Sequence, residues 1–169
     1  MKRTVLALGA LLALLPAISN AALMVMVDGV AGPNKQSPYG GWFVADSFTW
    51  GYERANTAKP FAVTISMEQS GIGFASIAQA AFSGAILKKI VIDVVTVTGP
   101  ENQLMVLSRL TCEEAQVRRS STAGDEDDMP RFELEFGCAK FAWENFERGK
   151  DGIVTSAGKG SWNFRTNTP

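Results

Sequence analysis

Ile86-Leu87-Lys88-Lys89-Ile90-Val91-Ile92-Asp93-Val94-Val95-Thr96-Val97-Thr98 is the stretch that decides the fold class. Ile90, Ile92 and Val94 fall on one alternating set, and Leu87, Val91, Val95 and Val97 on the other. A β-branched run with this pattern reads as a strand that is apolar on both faces. Such a strand has to be covered on both sides, by a helix, a second sheet or a partner molecule.

The flanking segments repeat the β theme. Upstream, Phe61, Val63, Ile65 and Met67 alternate with Ala62, Thr64, Ser66 and Glu68, the pattern of a half-buried strand. Between the two runs the period changes. Phe74, Ile77, Ala78, Ala81 and Phe82 follow helical spacing between Ser70-Gly71 and Ser83-Gly84, which predicts one short helix laying its apolar stripe on a sheet. Nearer the N-terminus, Leu23 to Val27 reads as a strand ending at the Asp28-Gly29 turn, and Trp42 to Trp50 is aromatic and β-prone. Residues 30–41 carry Gly32-Pro33-Asn34, Ser37-Pro38 and Gly40-Gly41, which predicts a long exposed loop.

Downstream, Thr98 to Asn102 turns the chain, and Leu104, Val106, Leu110 and Cys112 form the next inward set. A polar stretch from Arg118 to Pro130 leads to Phe132, Leu134, Phe136 and Cys138, and a last short strand is expected around Trp162 and Phe164. Roughly six to eight strands with one short α-helix make an all-β domain, a β-barrel or two-sheet sandwich.

Composition narrows the function. The 169 residues are 46% hydrophobic and 20% charged, which fits one globular domain. With 16 Lys plus Arg against 17 Asp plus Glu there is no basic excess to drive nucleic-acid binding. The chain has no histidine, which removes His-based triads, His-ligated metals and a His general base. No cofactor or metal is expected.

The N-terminus carries an address. Met1-Lys2-Arg3, the apolar run Val5 to Leu15, Pro16 and the small residues Ser19-Asn20-Ala21 read as a secretory signal peptide over residues 1–21, cleaved between Ala21 and Ala22. The run is too short for a transmembrane anchor, so the domain at 22–169 is expected to be free of the membrane once the leader is removed. The destination is secreted or periplasmic. If translation starts near Met24, the chain is cytoplasmic before export.

Several local features suggest chemistry, and each has a plainer explanation. A hairpin centred on Asp125 would place Cys112 and Cys138 opposite one another, within disulfide range in an oxidising compartment; the alternative is two reduced core thiols. Asp125-Glu126-Asp127-Asp128 lacks the alternation of a calcium loop and reads as a solvated hairpin tip. Gly158-Lys159 is followed by Gly160 where a phosphate loop needs Ser or Thr. Glu144 and Glu147, beside Trp143, do not make a convincing glycosidase pair. No catalytic residue is assigned.

These features resemble one known family across nearly the whole domain. The carriers are Met24 to Gly32, Ser47-Phe48-Thr49-Trp50-Gly51, Pro60 to Ile65 with the helix to Ser83-Gly84, Lys89 to Val95, Leu134-Glu135-Phe136 to Trp143, and Gly160 to Phe164 with Asn167. In order and spacing they resemble the haemolysin-coregulated proteins (Hcp), the inner-tube proteins of bacterial type VI secretion systems. The resemblance implies a barrel-like fold of two sheets with a helix at one side and no enzymatic activity. It also implies hexameric rings stacked into a tube, with a spike protein at the tip and effector cargo in the lumen. On that picture the 30–41 loop would project toward a neighbouring ring. The alternative is a stand-alone exported module that binds glycan or peptide through Trp42, Trp50, Trp143 and Trp162.

Overall fold

The computed structural model describes residues 21–52, 63–70, 74–98, 103–124 and 130–169. The expected leader up to Asn20, the expected strand residues Phe61-Ala62 and the acidic run Asp125 to Asp128 lie outside these residues.

Eight strands and one helix are present among them. They are β1 (Ala22–Val27), β2 (Phe43–Ala45), β3 (Ser47–Tyr52), β4 (Val63–Ser70), α1 (Phe74–Phe82), β5 (Leu87–Thr98), β6 (Gln103–Ala123), β7 (Arg131–Arg148) and β8 (Val154–Asn163). Every pairing is antiparallel, in the order β2-β1-β5-β6-β7-β4-β3, with β8 also on β7.

The two long strands make this order into two layers. One edge of β7 pairs with β6, while its other edge pairs with β4 over Arg131 to Cys138 and with β8 over Lys140 to Arg148. The change of neighbour falls at Ala139. Opposite it, Glu114 of β6 has φ 52°, a left-handed conformation unusual for a non-glycine residue in a strand. The sheet therefore turns a corner at Glu114 and Ala139, giving the half-sheets β2-β1-β5-β6-β7-β8 and β6-β7-β4-β3.

The core fills the space between them. Val25, Phe43, Ile90, Ile92, Leu134 and Phe136 are fully buried, and Ile77 reaches the same cluster from α1. Each such side chain contributes about 1.5–3 kcal/mol by leaving water. Helix α1 ends in a left-handed Gly84 (φ 64°), where the Gly84 N–H bonds to the Ala81 carbonyl at 3.2 Å and the Ala85 N–H to the Ala80 carbonyl at 3.3 Å. Only part of its expected stripe is buried: Ile77 and Ala78 are inside, whereas Phe82 is 87% exposed.

Three expectations need correction. The inward set on β6 is borne out at Leu110 and Cys112, which are buried, but not at Leu104 and Val106. The β5–β6 register shifts between Val94 and Val95, leaving Leu107 without a partner, so Met105 is buried and Leu104 is 43% exposed. The 30–41 loop is not wholly exposed, because Tyr39 is buried. It forms a strap with a hydrogen-bonded neck, Gly32 N–H to Gly41 carbonyl at 2.7 Å and Asn34 N–H to Trp42 carbonyl at 3.1 Å. The outer face of β5 around Asp93 is thus covered by the chain's own strap, a source of cover the sequence reading did not include.

The third correction is the register around the cysteines. Cys112 lies opposite Phe141, and Cys138 opposite Ala115. In a flat antiparallel pair that offset would separate residues 112 and 138 by roughly 11 Å. Their Cα atoms are 5.4 Å apart and their sulfurs are joined. The kink at Glu114, rather than direct opposition, brings them together.

Candidate assembly surface

The outer face of the first half-sheet is organised in rows that run across the strands. Cross-strand partners in an antiparallel sheet share a face, so the register reads off each row. One row is Asp93 on β5, Arg109 on β6, Glu144 on β7 and Lys159 on β8. A second is Lys89, Glu113, Lys140 and Asn163 on the same four strands. Between them lie Val91, Thr111, Ala142 and Ser161, all short side chains. Signs alternate along both charged rows and oppose one another strand by strand, except where Asn163 stands. The result is a furrow of small residues between two banks of alternating charge.

Two concavities occupy this furrow. One of about 650 Å³ is lined by Arg109, Thr111, Ala142, Glu144, Lys159 and Ser161 among others, and one of about 340 Å³ by Glu113, Lys140 and their neighbours. Pro169 stands at the rim of both. The C-terminal segment is held there by the Phe164 N–H on the Ala139 carbonyl at 2.9 Å and by the Asn163–Thr168 bridge.

At the strap end, the first row is anchored by a buried charge. Asp93 is fully buried. Its Oδ1 accepts from Arg109 Nε at 2.7 Å, and its Oδ2 accepts from Arg109 Nη2 at 2.7 Å and from the Tyr39 hydroxyl at 3.1 Å. Burial, reinforced by the Asp93 charge, pushes the Tyr39 phenol up to about 12. The hydrogen bond to Asp93 raises the Arg109 guanidinium above its ordinary value. The strap is therefore clasped to the sheet through a paired carboxylate, the form in which a buried charge is tolerated.

In the middle of the second row, Lys140 bridges Glu113 at 3.7 Å and also Glu114 at 3.3 Å, and Arg165 joins Glu114 at 2.6 Å. The kinked corner is thereby tied to the C-terminal segment.

The remaining residues singled out from sequence sit as follows. Gly158, Lys159 and Gly160 are in the middle of β8, not in a loop before a helix. Glu144 and Glu147 are three apart on one strand and so face opposite sides of the sheet. The indoles of Trp50 and Trp143 stack on one another with centroids 6.5 Å apart, and both pack on Phe141. The pair keeps part of its surface open, Trp50 being 49% and Trp143 39% exposed, and Gly160 lies beneath Trp143, where a Cβ would overlap the indole. Trp42 packs edge-on against Tyr39 in the strap. The sequence reading missed the charged rows. The signal was Asp93, the one charge between Ile90 and Thr98.

No family model matches this chain, and no curated protein matches it. Solved structures do. "Structure of a type six secretion system protein" matches with TM-score 0.74 at 15% identity, over 88% of this chain and 98% of the other. Hcp1 from Salmonella typhimurium matches with TM-score 0.70 at 14% identity, over 88% and 97%. A type VI secretion system effector from Yersinia pestis matches with TM-score 0.66 at 12% identity, over 83% and 98%. The fold is thus one shared with type VI secretion system proteins of known structure. More narrowly it is the Hcp fold, mostly antiparallel β-structure with one short helix, as the sequence resemblance implied.

Proposed function

We propose that this chain is an exported, self-associating structural protein of the Hcp kind. On this reading its subunits close into six-membered rings that stack into a tube. A spike protein sits at the tip, effector cargo occupies the lumen, and no catalysis is performed. The observation that carries the reading is the agreement of fold over 88% of this chain and 98% of a type VI secretion system protein. The walled furrow, with small residues between self-complementary charged rows, adds a surface suited to protein contact.

In the same proposal, export uses residues 1–21 as a leader cleaved between Ala21 and Ala22, and Cys112 and Cys138 are bonded in the exported protein. The test is negative-stain imaging and multi-angle light scattering of the exported protein, whose mass should correspond to a chain beginning at Ala22. Ring-shaped particles of six-subunit mass are expected. A monomer at every concentration up to the millimolar range would overturn the assembly reading.

A further inference from the structure

We infer that oxidation of Cys112 and Cys138 locks the corner that Glu114 and Ala139 make between the two half-sheets, so that the chain holds its assembly-competent shape only where it folds under oxidising conditions. The assembly part of this inference rests on the reading proposed above; the corner part stands on geometry alone.

The two cysteines are placed where a cross-link has the most leverage. They lie on β6 and β7 beside Glu114 and Ala139, where the sheet turns and β7 changes neighbours. On the outside of the same corner, Glu114 holds Lys140 at 3.3 Å and Arg165 at 2.6 Å. Those ion pairs are partly exposed and weakened by salt. The sulfur bridge on the inside is not. Lys140 and Glu113 belong to the second charged row, so the angle of the corner also sets the shape of the furrow.

The bridge also acts on the unfolded chain. It joins positions 26 residues apart, and closing a loop of that length removes a substantial part of the unfolded chain's freedom. Without it, two small thiols fill the same core positions. They leave the left-handed Glu114 held by its ion pairs and the surrounding ladder.

The chemistry balances by exchange. One cysteine thiolate attacks a protein or small-molecule disulfide of the compartment, forming a mixed disulfide and releasing one of its thiolates. The second cysteine thiolate then displaces the other half. The chain loses two S–H hydrogens as two protons and two electrons, and the partner leaves as two thiols. Both cysteines are buried, with at most 1% exposure, so exchange has to be completed before the core closes. The bond is a commitment made at folding, rather than a switch that folded protein can reverse.

The test uses the purified full chain, unfolded in denaturant and refolded in parallel with oxidised glutathione or with dithiothreitol throughout. Three quantities are compared: free thiols by mass spectrometry under denaturing conditions, the melting temperature and particle mass. The oxidised preparation is expected to show no free thiol and to assemble. The reduced one is expected to melt about 10 °C lower and to stay at single-subunit mass. Cys112→Ala/Cys138→Ala should follow the reduced preparation in both buffers. If that variant does not fold, the paired refolding of the unaltered chain decides alone. Two free thiols in the oxidised preparation, or melting temperatures within about 2 °C with equal assembly, would overturn the inference. A full melting shift with single-subunit mass in both preparations would support the corner clamp and overturn the assembly reading.

Discussion

Asp93 concentrates more consequence than any other side chain in the domain. It lies on the outer face of β5 with no exposed surface, yet its two oxygens take three donors, two from Arg109 and one from Tyr39. Removing a partner from such a group leaves a buried charge short of hydrogen bonds, which costs more than the bond itself contributes. Tyr39 adds a measurable pH dependence. Its phenol is raised from 10.0 to about 12, so the folded state favours the protonated form. The associated stability is complete below pH 10 and is lost as pH rises toward 12. An ultraviolet difference titration should therefore show a tyrosine step near pH 12 in the native protein. Tyr39→Phe should abolish that step and flatten the alkaline loss of stability. A titration in which both tyrosines ionise near pH 10 would contradict the clasp.

The elements show where pattern reading succeeds and where geometry takes over. The run around Ile90 identifies β5 as apolar on both faces, because alternation is a property of the strand alone. What covers the outer face depends on the strap, whose path is set by hydrogen bonds between residues the pattern treats as breakers. Gly32 illustrates this: a Cβ there would run into the backbone of Trp42 and Phe43, so the neck closes only around glycine. Gly32→Ala should cost about 1–3 kcal/mol. It should lower the melting temperature by several degrees and speed tryptic cleavage after the exposed Lys35. Unchanged melting and cleavage would show that the neck does not hold the strap. The β6 parity change at Leu107 and the kink at Glu114 were equally hidden, since one unpaired residue or one left-handed φ leaves no mark in hydrophobic spacing. The same kink explains how cysteines that are not opposed in register are neighbours in space.

At the scale of the molecule, the fold class and the Hcp-like plan were legible because they rest on many weak periodic signals that agree in order. The charged rows were not. Lys89, Glu113, Lys140, Glu144 and Lys159 are ordinary exposed or half-exposed residues along the chain, and they become rows only when four strands are laid in register. That arrangement has a kinetic consequence. Neighbouring charges of opposite sign, about 5 Å apart from strand to strand, cancel one another's fields beyond roughly that spacing, which is shorter than the Debye length of about 8 Å at physiological ionic strength. A molecule approaching the furrow would feel no long-range pull or torque until it nearly touches. Encounters there should proceed at the unsteered rate, on the order of 10⁵–10⁶ M⁻¹s⁻¹. Stopped-flow association rates should accordingly stay constant within about twofold between low and high salt, whereas a tenfold drop would show that a different, singly charged surface guides the meeting. Recognition at this surface would begin at contact and select by fit.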